Sequence, residues 1–133
     1  MPWTDDYIGI PFKPDGRTRE EGLDCWAIVV LIYRERLNIL LPDFKGVFTE
    51  QSPVTLRRVA KEMKAYKEKW QRVEIPKLYD VVMLRTGAYT YHVGLCLDRH
   101  NMLHVMAGIN SVVEPFTGIE WRNRIEEFRR YVG

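Results

Sequence analysis

A chain of 133 residues, 46% hydrophobic and 29% charged, has the length and composition of one soluble globular domain with a real core, which excludes a disordered or fibrous chain. Its net charge of +2 excludes neither an acidic nor a neutral ligand. Two cysteines are too few for a disulfide framework, no run reaches the roughly 18 apolar residues of a membrane span, and Met1–Asp6 has neither a basic nor an apolar leader region; free thiols, no membrane span and no signal peptide are expected.

Residues 1–21 carry the turn formers Pro2, Gly9, Pro11, Pro14 and Gly16 and read as an irregular arm, with a short helix before Tyr7. Tyr7–Phe12 supplies apolar packing, and the charged loop Lys13–Glu21 leads to Gly22-Leu23-Asp24-Cys25-Trp26. A helix is expected from Asp24 to Leu37, with Asp24 as N-cap and Asn38 in the left-handed region past its end. Trp26–Tyr33 is apolar on every side, so this helix should be buried. Pro42 forbids its continuation.

After a loop at 45–53, a second helix fits Thr55–Lys69, with Leu56, Val59, Met63, Tyr66 and Trp70 recurring at three and four. Its other face is basic (Arg57, Arg58, Lys61, Lys64, Lys67, Lys69). Such a run reads first as a solvated face, with an anionic-partner surface as the alternative. Past Pro76 the period becomes strand-like: Tyr79–Arg85, a turn at Thr86-Gly87-Ala88, a hairpin of Tyr91–Asp98 and Met102–Ala107, then Ser111–Pro115, a helical turn at Thr117–Arg122 and a closing strand Glu127–Val132. Helices first and an antiparallel sheet second predict an α+β layer fold.

Cys25 opens the buried helix, where unpaired amides and the positive end of the dipole favour a thiolate. The alternative is a small buried hydrophobe. A nucleophile needs a base. His100 lies in a turn and reads as solvated. His92, Gly94 and Cys96 share one strand face, while Val93, Leu95 and Leu97 form the obvious core face, so Cys25 meets His92 if the first helix packs on the His92 side. An odd-length hairpin loop turns His104 onto that side too. With His104 opposite Gly94, His92 is its diagonal neighbour, and the missing side chain at Gly94 leaves room for two rings. The roles follow: Cys25 as nucleophile, His92 as base and then acid, His104 as orienter. A fast alkylation of Cys25 near neutral pH is expected of such a pair. Cys96 reads as buried packing about 13 Å along the strand from His92. Neither cysteine lies in a C-x-x-C pair and the histidines lack i, i+4 spacing, so no metal is expected.

Gly22-Leu23-Asp24-Cys25-Trp26 with its apolar helix and Leu41-Pro42-Asp43, the strand Tyr79-Asp80-Val81-Val82-Met83-Leu84, His92-Val93-Gly94-Leu95 and Leu103-His104-Val105 together resemble NlpC-type cell-wall peptidases over residues 7–132. The resemblance implies a papain-like α+β fold with a Cys25–His92–His104 triad and an oxyanion held by amides at the helix start. It implies cleavage of peptidoglycan stem peptides, typically at a γ-D-glutamyl bond to a diamino acid, with no metal or organic cofactor and no nucleic-acid partner. Phe12 stands near the family's Tyr ahead of the cysteine, Lys13–Arg19 replace its Gly-Gly, Trp26-Ala27 replace Ser-Gly and narrow the cleft, and Tyr79 stands where Gly is usual. Asp24, Trp26, Phe12 and Gly94 are therefore the residues expected to cap or line the site. The Asp-Cys-Trp variant and Tyr33-Arg34-Glu35 most resemble the branch found in phage and prophage tail assembly proteins. That branch implies tail-tip partner proteins and a place in the host cytoplasm, then the virion tail. A tail-tip scaffold that keeps the fold, with residues 55–70 and Trp3, Tyr7 and Phe12 as contacts, and a papain-like amidase or acyltransferase on another substrate are the competing readings.

Overall fold

The computed structural model describes residues 1–43, 69–86 and 91–133. The helix expected over 55–69 (apart from Lys69), its basic face, the loop at 45–53 and the turn at 87–88 fall outside the described residues. A 3-10 helix, Pro2–Tyr7, precedes β1 (Arg17–Thr18), β2 (Gly22–Leu23) and α1 (Cys25–Leu37); then come β3 (Trp70–Val73), β4 (Val81–Arg85), β5 (Tyr91–Cys96), β6 (Asn101–Met106), β7 (Ile109–Pro115) and β8 (Ile125–Tyr131). The last six form one antiparallel sheet in the order β3-β8-β4-β5-β6-β7, and β1 pairs with β2 in a small hairpin. This is an α+β arrangement. The segment 117–122 is a set of turns, with one helix-like bond from Arg122 N–H to the Gly118 carbonyl at 2.9 Å.

Asp24 caps α1, its Oδ1 accepting from the Ala27 amide at 2.8 Å, and Asn38 closes it at φ 55°. All eight residues from Trp26 to Tyr33 are buried. A helix apolar all round needs the most apolar sheet face available. It finds Val81, Met83, Val93, Leu95, Leu103 and Val105, where each buried side chain contributes about 1.5–3 kcal/mol relative to exposure. α1 therefore packs on the face opposite His92, and the condition for Cys25 to meet His92 across a shared face is not fulfilled. On the His92 face the chain leading into β8 packs Phe116 and Trp121 against Val82, Leu84, Cys96 and Met102, with Ile125 and Phe128 of β8 alongside.

The arm is sewn to the outer strand β7. Gly9 N–H donates to the Ser111 carbonyl and Ser111 N–H to the Ile10 carbonyl, both at 2.8 Å; Ile10 N–H reaches the Ser111 hydroxyl, which donates to the Tyr7 carbonyl. β4 begins at Val81, not Tyr79, because Tyr79 sits at φ 74° and breaks the extended run. Its ring lies 5.8 Å from Trp3, and its carbonyl accepts from the Tyr33 hydroxyl. Buried Asp80 takes Arg130 bidentately at 2.8 and 2.9 Å.

Candidate active site

Cys25 is the first residue of α1, held by the cap at Asp24. Asp24 in turn receives Arg17 Nη1 at 2.6 Å, and Arg17 also reaches Asp15 and the Asp43 carbonyl. The half-buried Cys25 meets the sheet where β5 and β6 part. The β5–β6 ladder comprises only Leu95↔Leu103 and Cys96↔Met102, although β5 runs back to Tyr91 alongside β4. Leu97 N–H points across to Asn101 on β6, and by the two-residue repeat Val93 N–H faces the same side. The observed ladder has no pair there, and the Val93 backbone comes close enough to the Cys25 sulfur to favour its thiolate.

His92, the next residue along β5, lies on the opposite face. Extending the observed register sets His104 across from Gly94, and the hairpin loop is three residues, Asp98–His100. His92 Nε2 and His104 Nδ1 then share a hydrogen bond at 2.8 Å, and both rings are buried. The chain continues: His104 Nε2 lies 2.6 Å from Glu114 Oε2 on β7. Trp121 roofs the pair, stacked on His92 and edge-on to His104. So the structure joins His92 to His104 directly and brings Cys25 to the backbone beside His92. Among the described residues no hydrogen bond links the Cys25 thiol to an imidazole.

Electrostatics favour neutral forms. Burial, reinforced by the Asp24 carboxylate, pushes the Cys25 thiol up to about 12, against the pull of backbone hydrogen bonding from Val93 and Cys25 itself. Burial and the His104 ring push His92 down to about 3. Burial also lowers His104, partly offset by Glu114. Desolvation beside a carboxylate thus works against the thiolate that the helix terminus favours.

Two other expectations change, at Gly94 and Trp26. The space over Gly94 is taken by the Met102 side chain, whose Sδ would lie 2.7 Å from an added Cβ, rather than by the two imidazoles. Trp26 is core: its Nε1 donates to the Pro42 carbonyl at 2.7 Å and its ring meets Trp70 edge-on, because the side chain points back under the helix rather than out to a cleft. Phe12 bridges to Leu23, two residues ahead of the cysteine, and packs partly buried on the core. Both thiols are free, and Cys96 is buried on the His92 face. His100 is exposed in its turn. Glu114, Trp121 and Arg17 carry no motif or periodicity that marks them; only a known strand register points to Glu114. Among the described residues no group of three or more His, Cys, Asp or Glu could hold a metal, and no helix is long and apolar enough to cross a membrane.

The family model described as NlpC/P60 family matches residues 9–130. Murein DD-endopeptidase MepS/murein LD-carboxypeptidase of Escherichia coli strain K12 is 23% identical over 127 residues, covering 94% of this chain and 57% of that protein; the same protein from strain O157:H7 matches equally. The chain thus spans little more than half the length of these curated relatives. Among solved structures, an NLP/P60 family protein similar to lipoprotein from Staphylococcus aureus subsp. aureus Mu50 superposes with a TM-score of 0.67 at 19% identity, over 96% of this chain and 38% of that one. The NlpC/p60 domain of peptidoglycan hydrolase SagA does so with a TM-score of 0.62 at 17% identity, over 96% and 92%.

Proposed function

The chain belongs to the NlpC/P60 family, and from that premise we propose that it is a cysteine endopeptidase of peptidoglycan stem peptides, a single papain-like domain with Cys25 as nucleophile, His92 as base and His104 as orienter. The observation that carries the reading is the 2.8 Å bond between His92 Nε2 and His104 Nδ1, one residue from the Val93 backbone that meets the Cys25 sulfur. The curated relatives, named for murein endopeptidase activity, support the substrate class.

The chemistry starts from neutral partners. Sulfur attacks the peptide carbonyl as His92 takes the thiol proton, so general-base transfer during attack replaces a standing ion pair. The tetrahedral oxyanion is held by first-turn amides of α1. His92 then gives its proton to the leaving amine, and water, activated by the same ring, releases the acyl group from sulfur. Mass spectrometry of muropeptides digested by the protein and by Cys25→Ala tests this. A new peptide end made only by the wild type is expected, and its position separates the γ-D-glutamyl bond from a D,D cross-link; identical digests would overturn the reading.

We extend the proposal to a phage tail-tip enzyme, made in the host cytoplasm and carried in the virion tail. That rests on Asp24-Cys25-Trp26 and Tyr33-Arg34-Glu35. The absence of a thiol–imidazole bond among the described residues favours one second reading, a tail-tip scaffold that keeps the fold. Retention of tail-protein binding by Cys25→Ala together with unaltered muropeptides would select it.

A further inference from the structure

Three residues descend diagonally across neighbouring strands: His92 on β5, His104 on β6, Glu114 on β7. Building on the reading of His92 as the base for Cys25, we propose that Glu114 is a positioning residue that sets the protonation pattern of both imidazoles, leaving Nδ1 as the bare nitrogen of His92.

The argument is one of donors and acceptors. A carboxylate only accepts. With Glu114 Oε2 at 2.6 Å, His104 Nε2 must carry a hydrogen. A neutral imidazole has one N–H, so His104 Nδ1 is bare and accepts. Its partner at 2.8 Å, His92 Nε2, must then donate. A neutral His92 that donates from Nε2 has its lone pair at Nδ1, the form able to receive a thiol proton. Without Glu114 the His92–His104 bond is equally satisfied in reverse, with His104 Nδ1 donating, His92 Nε2 accepting, and His92 Nδ1 carrying a hydrogen. In that form His92 cannot act as a base from Nδ1. Glu114 breaks the tie, and the short, charge-assisted contact gives it the strength to do so. Nothing else described competes: the Trp121 indole N–H, against both rings, bonds to neither.

Glu114 is reached by a β-bulge. A register shift between His104 and Met106 turns β7 so that Val112 pairs with His104 and Glu114 lands on the histidine face. An unbulged hairpin would give that face to Ser111 and Val113.

The test is 15N NMR of the imidazoles, without substrate, in wild type, Glu114→Ala and Glu114→Gln, beside steady-state hydrolysis. Wild type should show hydrogen on Nε2 of both rings. Glu114→Ala, and the near-isosteric Glu114→Gln whose amide can donate to His104, should move hydrogen onto His92 Nδ1. Both should lower kcat about tenfold or more with KM within about twofold, and Glu114→Asp should restore part of the loss. His92 keeping hydrogen on Nε2 in every folded variant would overturn the proposal even if the protein is an active peptidase. Conversely, tautomers that shift as stated in a protein that cleaves no muropeptide would uphold Glu114's role and refute only the peptidase reading.

Discussion

Trp121 lies flat on His92, ring centroids 5.5 Å apart and planes 23° from parallel. The same indole meets His104 edge-on at 5.7 Å, so one side chain fixes the plane of both imidazoles while filling the smaller core beneath Phe116. Trp121→Ala should cost about 3–5 kcal/mol in urea unfolding. Trp121→Phe, which keeps an aromatic surface, should cost less than about half of that. Equal losses would mean that the stabilisation comes from the indole itself and not from the aromatic surface a phenyl ring retains.

The desolvated thiol makes a kinetic prediction opposite to the one the helix terminus alone suggests. With the thiol pushed up to about 12, the thiolate fraction at pH 7 is small. Alkylation of Cys25 by iodoacetamide, followed by peptide mass spectrometry, should therefore be slow near neutrality. It should climb about tenfold per pH unit from 7 to 10, with no plateau near the pH 8.5 of an ordinary thiol. A plateau below pH 9 would show that an imidazolium steadies the sulfur after all.

His92 predicts acid sensitivity. Its folded pKa is depressed to about 3 from an ordinary 6.5, so between those values the unfolded chain binds a proton that the folded chain refuses. Stability is thus lost as pH falls below about 6.5 and continues to fall toward 3. Unfolding free energies at pH 7 and pH 4.5 should differ by less in His92→Gln than in wild type. An unchanged difference would remove His92 from the acid response.

Tyr79 holds a left-handed backbone with a full side chain. Tyr79→Ala loses the contacts with Trp3 and Tyr33 yet keeps the strain of a Cβ at positive φ; Tyr79→Gly loses both. Glycine should therefore be the more stable of the two by about 1 kcal/mol in thermal or urea unfolding, the reverse of the usual order in extended or helical segments. Alanine equal or better would place Tyr79 outside that backbone region in solution.

The sequence makes the central helix, its cap and its end legible, because an apolar run flanked by Asp24 and Asn38 allows little else. It also gives the hairpin register that joins the two histidines, since face alternation and loop length are local quantities. The side of the sheet taken by α1 is different. Both sheet faces bear apolar residues, and the choice depends on the 116–128 segment, which shows no helical or strand period over its first half. Glu114 is hidden by the bulge, an irregularity without a residue signature here. The surroundings of Cys25 are hidden for a related reason: the dipole of a helix start can be read from sequence, whereas the desolvation of the sulfur near Val93 is a property of the assembled layers.

The clasp at Ser111 bears on how the molecule behaves in company. A sheet's outermost strand offers unpaired amides and carbonyls to any extended stretch that drifts past, and β7 also shows half-exposed Ile109 and Val113 along that rim. Residues 9 and 10 fill the docking position themselves, in the manner of a strand supplied in cis. A protein clipped ahead of Pro11 would lose that cover and bare a border open to any extended chain.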